Sequence, residues 1–298
     1  KALLKLPGVQ WEVDKEGLLE YFTFQNTFTN RTLLKGISIF PAGSWAKVSL
    51  KNSTASFSPT QYWDFDFREP EKVLSEQDYI EELNRLFHQA VKRQLVSDVD
   101  LGCYLSGGID SGSIVAVAAS QIPNIKTFTC GFDLSSASGL ELAFDERQKA
   151  KHMSDLFKTN HYETVLKSGD MELALPKLAW HLEEPRVGQS YPNYYAAELA
   201  AKSVKVVLSG VGSDELFGGY PWRYYRAVVN DNFDDYIDKY YRYWHRLIPA
   251  KEMTKVFGPI WKDVGHVDTR NIFCNVFKQP KQSSPLAQGY VNQSLYFE

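Results

Sequence analysis

Short apolar segments alternate with helical segments between residues 101 and 208, and this alternation constrains the fold more than any other feature. The predicted strands cover residues 101–105, 125–130, 161–166 and 204–208. The predicted helices between them cover residues 113–120, 145–157, 171–181 and 193–201. Strands that alternate with helices are joined by crossover connections, and such connections build a parallel sheet. We therefore predict an α/β fold in which helices cover both faces of a parallel sheet.

The chain on either side of this region carries other patterns. Asp14 is placed to cap a short apolar helix, and the Ser/Thr-rich residues 51–60 predict a loop. Apolar residues at three- and four-residue spacing predict an amphipathic helix over residues 75–95. Towards the C-terminus the pattern indicates an aromatic-rich helix over 232–247, weaker periodicity after 251 and a loop over 279–288.

Charge and cysteine content exclude several classes of protein. Lys and Arg number 33 against 36 Asp and Glu, and a net charge of −3 provides no global basic field for nucleic acid. No apolar run approaches the roughly 18 residues of a membrane span, and no signal-peptide pattern opens the chain. Three cysteines without a Cys-x-x-Cys pair exclude a zinc ribbon and favour a reducing compartment. We expect a cytoplasmic protein that binds neither nucleic acid nor membrane.

The strongest chemical signal is the segment Leu105-Ser106-Gly107-Gly108-Ile109-Asp110-Ser111. Glycines let backbone amides approach a phosphate, and the N-terminus of the following helix adds partial positive charge. The two serine hydroxyls can donate to phosphate oxygens, and the aspartate indicates a bridging Mg²⁺, which prefers oxygen ligands. The alternative is a tight strand-to-helix turn with a cap and no ligand. The missing Gly-Lys-Ser/Thr ending excludes a Walker A loop.

A second segment repeats this arrangement about a hundred residues later. The predicted strand that ends at 208 runs into Ser209-Gly210-Val211-Gly212-Ser213-Asp214-Glu215. The carboxyl ends of parallel strands meet at one edge of a sheet, so we expect Asp110 and Asp214 to share a magnesium–pyrophosphate across a crevice there. The alternative is a second capped helix whose first turn favours acidic residues.

The first segment resembles the Ser-Gly-Gly-x-Asp-Ser pyrophosphatase loop, and both segments together resemble the synthetase domain of the glutamine-hydrolysing asparagine synthetase family. Residues 127–132 and 144–146 are similar to the family's second strand and to its Asp-Glu helix start. The resemblance implies an adenine nucleotide alpha hydrolase-like fold with ATP and Mg²⁺ as cofactors. It also implies that a carboxylate, nominally aspartate, is adenylated with release of pyrophosphate and then amidated by ammonia from glutamine. A homodimer is one assembly that the resemblance allows.

The same resemblance assigns roles to individual residues. The implied ATP-binding residues are Leu105, Ser106, Gly107, Gly108, Asp110, Ser111, Cys130, Ser209 and Gly210. Asp110 and Asp214 are the implied catalytic and metal-binding residues. Cys130 has an alternative interpretation as a small buried apolar side chain.

The resemblance also divides the chain. Residues 1–68 resemble the end of the family's glutaminase domain and its linker, and residues 69–298 resemble a synthetase domain truncated at its C-terminus. We expect this chain to be an internal piece of a longer protein that does not hydrolyse glutamine by itself, because it lacks an N-terminal cysteine nucleophile. The family's later basic segment is also absent, so a cation that would neutralise pyrophosphate is missing.

Val211 stands where the family usually carries a glutamate between two glycines, and it keeps other functions open. One alternative is a related enzyme that acts on another carboxylate, such as a uronic acid, or that cyclises a β-lactam or a lasso peptide. Another is a nucleotide-binding scaffold without catalysis. A tRNA-modifying member of the superfamily is disfavoured by the net charge of −3 and by the missing Cys-x-x-Cys pair.

Overall fold

The computed structural model describes residues 2–8, 10–51, 54–65, 72–135, 145–184, 190–245 and 247–277. Contacts divide the chain into two compact units. The first unit combines Lys1–Pro70 with Asp214–Glu298, and the second unit is the continuous stretch Glu71–Ser213. The first unit therefore draws on two separate parts of the sequence.

Twelve α-helices and eight strands are assigned within the described residues. In chain order they are α1 (Lys15–Phe24), β1 (Ser44–Ala46), β2 (Ser49–Lys51), β3 (Thr54–Ser56), β4 (Pro59–Gln61), α2 (Glu76–Gln94), β5 (Leu101–Tyr104), α3 (Ile109–Gln121), β6 (Lys126–Phe132), α4 (Arg147–Phe157), β7 (Asn160–Leu166), α5 (Asp170–Leu182), α6 (Ser190–Ala201), β8 (Val206–Leu208), α7 (Ser213–Phe217), α8 (Pro221–Val228), α9 (Phe233–Trp244), α10 (Ala250–Val256), α11 (Trp261–Val264) and α12 (Thr269–Phe277).

The second unit is built on a four-stranded parallel sheet with the strand order β7-β6-β5-β8. Cys103 of β5 stands opposite Thr127 of β6 on one side and opposite Leu208 of β8 on the other. From β5 the chain moves outward through β6 and β7 and then returns to the other side of β5. The strand order therefore reverses between β5 and β8, and α/β proteins bind ligands outside the carboxyl ends of the strands at such a point.

Helices cover both faces of this sheet, so the predicted fold class is confirmed. On one face, Cys103 and Leu105 pack with Val91 of α2, Val115 of α3 and Ala150 of α4. On the other face, Phe128 packs with Ala200 of α6 and with Val204, which follows that helix, and Tyr104 lies against this cluster. Successive residues of a strand point to opposite faces, which explains why Cys103 and Tyr104 belong to different cores.

The first unit has its own cores, and each of them joins α1 to the C-terminal helices. Phe24 is fully buried in a cluster with Tyr240 of α9 and Phe273 of α12. Leu19 belongs to a second cluster with Phe257 and Val264. The cap predicted for α1 is confirmed, since the Asp14 carboxylate accepts a hydrogen bond of 2.9 Å from the Gly17 amide. This grouping differs from the predicted division at residue 68, and the assignment of residues 1–68 to a glutaminase-type domain stays a prediction.

The predicted loop over residues 51–60 is wrong, because β3 and parts of β2 and β4 lie there. β2 pairs with β3 and β1 pairs with β4, both antiparallel, with Ser44 opposite Gln61. Serine favours turns, but threonine is β-branched and suits an exposed strand, so composition alone was misleading. The predicted loop over residues 279–288 lies outside the described residues. No helix in the described part of the chain is long and apolar enough to cross a membrane.

Candidate functional site

The loop between β5 and α3 is held together by its own serine hydroxyls. The Ser106 amide donates to Ser111 Oγ at 3.1 Å, and the Gly108 amide donates to Ser106 Oγ at 3.1 Å. The two hydroxyl oxygens lie 2.9 Å apart. Ser111 is buried and its Oγ lies 3.3 Å from the Gly108 carbonyl, whereas Ser106 is half-buried. If Ser111 donates within the loop, the Ser106 proton remains available for a phosphate oxygen.

The helix that follows this loop begins without a side-chain cap. Gly108 is the N-cap residue of α3, and as a glycine it has no side chain with which to satisfy the first backbone amides. Those amides and the helix dipole together favour an anion. Directly after β5 the sequence places the buried apolar Leu105 and then provides amides and hydroxyls at the carboxyl edge of the sheet.

The end of β8 closely approaches the start of α3. A Cβ built on Gly210 would stand 2.9 Å from Asp110 Cβ and 2.9 Å from the Ser111 amide nitrogen, so only glycine fits without a shift. The turn after it is fixed by hydrogen bonds from the Ser213 hydroxyl to the Gly210 carbonyl at 3.1 Å and from the Val211 amide to Ser209 Oγ at 3.3 Å. Two of the predicted segments, 105–111 and 209–210, are therefore neighbours at the strand-order reversal.

The two predicted acids fall in different units. Asp110 lies in the first turn of α3 in the second unit, and Asp214 lies in α7 and groups with the first unit. Their joint binding of a metal stays a prediction. Among the described residues no group of three His, Cys, Asp or Glu side chains could hold a metal ion. Mg²⁺ at nucleotide sites is usually held by one or two carboxylates together with substrate phosphates and water, so Asp110 fits that kind of site.

Cys130 lies in β6, one strand away from the loop. Burial raises the pKa of its thiol to about 12, so the side chain is a neutral, weakly polar group at neutral pH. Its neighbour Thr129 donates a hydrogen bond from Oγ1 to the Leu105 carbonyl and ties β6 to the start of the loop. Cys130, Cys103 and Cys274 are all free thiols. A neutral thiol is compatible with the predicted contact to adenine.

Helix α4 adds two cations that the sequence analysis did not select. The Arg147 guanidinium binds the Asp145 carboxylate at 2.8 and 2.9 Å and the Phe132 carbonyl at 2.7 Å, and this pairing lowers the pKa of Asp145. Lys149 lies across Gly107, with its Cδ 2.6 Å from the position that a Cβ of Gly107 would take. The available signal was positive charge in the first turn of a helix, where the dipole disfavours it.

Comparisons with known proteins agree on one family. A family profile described as asparagine synthase matches residues 82–297. Asparagine synthetase (glutamine-hydrolyzing) 1 of Bacillus subtilis (strain 168) is 33% identical over 211 residues, which cover 70% of this chain and 31% of the relative. Asparagine synthetase (glutamine-hydrolyzing) 3 of the same organism is 32% identical over 253 residues, which cover 78% of this chain and 38% of the relative. The chain thus spans about a third of the length of the curated relatives it matches.

Solved structures give a weaker similarity. The NMN synthetase from Francisella tularensis shares 15% sequence identity at a TM-score of 0.31, over 75% of this chain and 93% of that chain. A score this low adds nothing to the fold that the strand order already defines.

Proposed function

The chain belongs to the asparagine synthase family, and we propose that it forms the ATP-dependent part of an amide-forming ligase. In the proposed reaction, a carboxylate oxygen attacks the α-phosphorus of ATP and the bond to the β-phosphate oxygen breaks. The products are an acyl adenylate and pyrophosphate. Ammonia from glutamine then displaces AMP and forms the amide. The nominal carboxylate is aspartate.

The observation that carries the proposal is the meeting of two strand ends at one helix start. Gly210 lies against Asp110 and Ser111, at the point where the Ser106–Ser111 loop presents its amides and hydroxyls. Donors fixed in advance stabilise charge that develops on phosphate oxygens, and they need no reorganisation during the reaction. This arrangement supports a site for the phosphates of ATP at the strand-order reversal.

Asp110 supports the proposed use of Mg²⁺. Its carboxylate belongs to a half-buried residue beside the proposed phosphate site. When bound, the ion would offset negative charge on the phosphates and on the leaving pyrophosphate. Asp110 would orient the ion, while the loop amides and Ser106 would bind the phosphate oxygens.

Val211 supports a second candidate substrate class. Its side chain is 91% exposed, and an apolar group cannot bind the ammonium group of an amino acid or move a proton. An enzyme with this side chain on the acceptor side would suit a carboxylate other than aspartate, such as a uronic acid or the carboxylate of a cyclising substrate. Adenylation is the same in either case.

Incorporation of labelled pyrophosphate into ATP, measured with a panel of carboxylates, tests the proposal. We expect exchange with at least one carboxylate and a loss of at least about 10²-fold in the Asp110→Ala variant, since removing one preorganised donor already costs that much. Asp155→Ala is the matched control, because this exposed carboxylate on α4 pairs only with Lys151 among the described ion pairs. Full exchange by Asp110→Ala would refute the metal-binding role, and ATP binding without exchange for any carboxylate would indicate a scaffold.

A further inference from the structure

Lys149 lies on α4 with its aliphatic stem across the loop between β5 and α3. A Cβ built on Gly107 would stand 2.6 Å from Lys149 Cδ and 3.1 Å from Lys149 Cγ, so the stem fills the space that a side chain at 107 would need. The ammonium group is attached one methylene beyond Cδ, which puts the glycines of the loop within its reach.

The packing of α4 fixes this placement. One helical turn after Lys149, Met153 Sδ lies 2.9 Å from the position that a Cβ of Gly112 would take. Residues four apart share one face of a helix, so Lys149 and Met153 point the same way, towards the loop and the first turn of α3. Ala150 between them is fully buried in the core. The core therefore fixes the part of α4 from which the exposed Lys149 side chain extends over the loop.

The charge of Lys149 has no counterpart within the described residues, where its ammonium makes no hydrogen bond and no ion pair. The other cations of α4 are paired. Arg147 binds Asp145, and Lys151 binds Asp155 at 2.7 Å. The N-cap residue of α4 is the acidic Glu146, whose side chain makes no cap hydrogen bond, and no acidic residue lies in the first turn, where the dipole disfavours a positive charge. An anion at the loop would pair with the Lys149 ammonium and would also offset the unfavourable position of this cation at the helix N-terminus.

We infer that Lys149 binds the pyrophosphate end of ATP and the pyrophosphate that adenylation releases. This inference rests on the proposed ATP site at the same loop. When the bond between the α-phosphorus and the bridging oxygen breaks, its electron pair stays with pyrophosphate. The leaving group gains negative charge, and an ammonium beside the Ser106–Ser111 loop stabilises it.

Calorimetric titration of the protein with ATP, inorganic pyrophosphate and adenosine, each with Mg²⁺, tests this role. We expect Lys149→Gln to bind ATP and pyrophosphate about tenfold more weakly, the size of one charge-assisted contact, and adenosine as tightly as the unsubstituted protein. Lys149→Arg should keep most of the pyrophosphate affinity. Lys151→Gln removes an equal charge two residues along the same helix and should change none of the three affinities.

Three outcomes would overturn the inference, and they differ in what else they affect. If Lys149→Gln binds pyrophosphate as tightly as the unsubstituted protein, Lys149 has no such role while the proposed function stands. If adenosine affinity falls as much as pyrophosphate affinity, the substitution acts through the fold. If the unsubstituted protein binds neither ATP nor pyrophosphate, the proposed function fails and the inference fails with it.

Discussion

Gly210 provides the sharpest test of how closely the two strand ends must approach. An alanine Cβ would stand 2.9 Å from Asp110 Cβ and from the Ser111 amide nitrogen, whereas ordinary van der Waals contact begins at 3.4 Å. The difference, 3.4 − 2.9, requires β8 and α3 to separate by about 0.5 Å. Both neighbours belong to the start of a packed helix, so neither can rotate away. Overpacking of this kind costs about 1–3 kcal/mol of unfolding free energy.

The same displacement should reduce activity more than it reduces stability. Phosphate-binding groups tolerate about 0.5 Å of error, and a misplacement of 1 Å can cost about 10²-fold in rate. We therefore expect Gly210→Ala to lose tenfold to a hundredfold in ATP–pyrophosphate exchange, within those limits. Urea unfolding measured alongside the exchange assay separates the two effects. Gly258→Ala is the control, since a Cβ at Gly258 would meet nothing within 4 Å.

A Gly210→Ala variant that matches the unsubstituted protein in both urea midpoint and exchange rate would refute the need for this close contact. Equal losses in the Gly258→Ala control would also count against it, because the effect would then not come from the contact with Asp110 and Ser111.

Two further predictions concern titratable groups. Burial raises the pKa of the Cys130 thiol to about 12. At pH 8 iodoacetamide should therefore alkylate this thiol far more slowly in the native protein than after denaturation, and peptide mass spectrometry measures both rates. Equal rates would contradict the burial of Cys130. His161 is buried with Nδ1 2.9 Å from Thr127 Oγ1, and burial lowers its pKa below 6.5 despite the nearby Glu163 carboxylate. The unfolded chain then binds the proton more readily than the folded chain, so the free energy of unfolding should fall as pH drops below about 6.5. In urea titrations at pH 5 and 7, His161→Gln should reduce this loss of stability at low pH. An unchanged pH dependence would contradict the prediction.

The sequence was sufficient for features that depend on local chemistry. Asp14 caps α1, and the apolar segments between 101 and 208 form the parallel sheet, because capping and hydrophobic periodicity act over a few residues. The glycines at 107 and 108 were also recognised correctly as a loop before a helix. In each case the determining interactions lie close together along the chain.

Features that depend on packing between distant segments could not be predicted. Nothing near Lys149 in the sequence shows that its stem crosses Gly107, because that contact is set by how α4 packs on α3. The pairing of β1 with β4 was hidden by a Ser/Thr-rich composition typical of loops. The contact between Ser106 and Ser111 also needed coordinates, since only the geometry shows that their hydroxyl oxygens lie 2.9 Å apart and that Ser111 Oγ lies near the Gly108 carbonyl.

The shared core of α1 and α12 has a consequence for how the chain is made. Phe24 and Phe273, whose ring centroids lie 6.1 Å apart, are separated by 273 − 24 = 249 residues. At a synthesis rate of about 5–20 residues per second, the ribosome needs roughly 12–50 s to supply the partner of Phe24. The parallel sheet, by contrast, is encoded in one uninterrupted stretch. We expect the parallel sheet to form before α12 is synthesised, while the apolar residues of α1 remain uncovered and available to a chaperone.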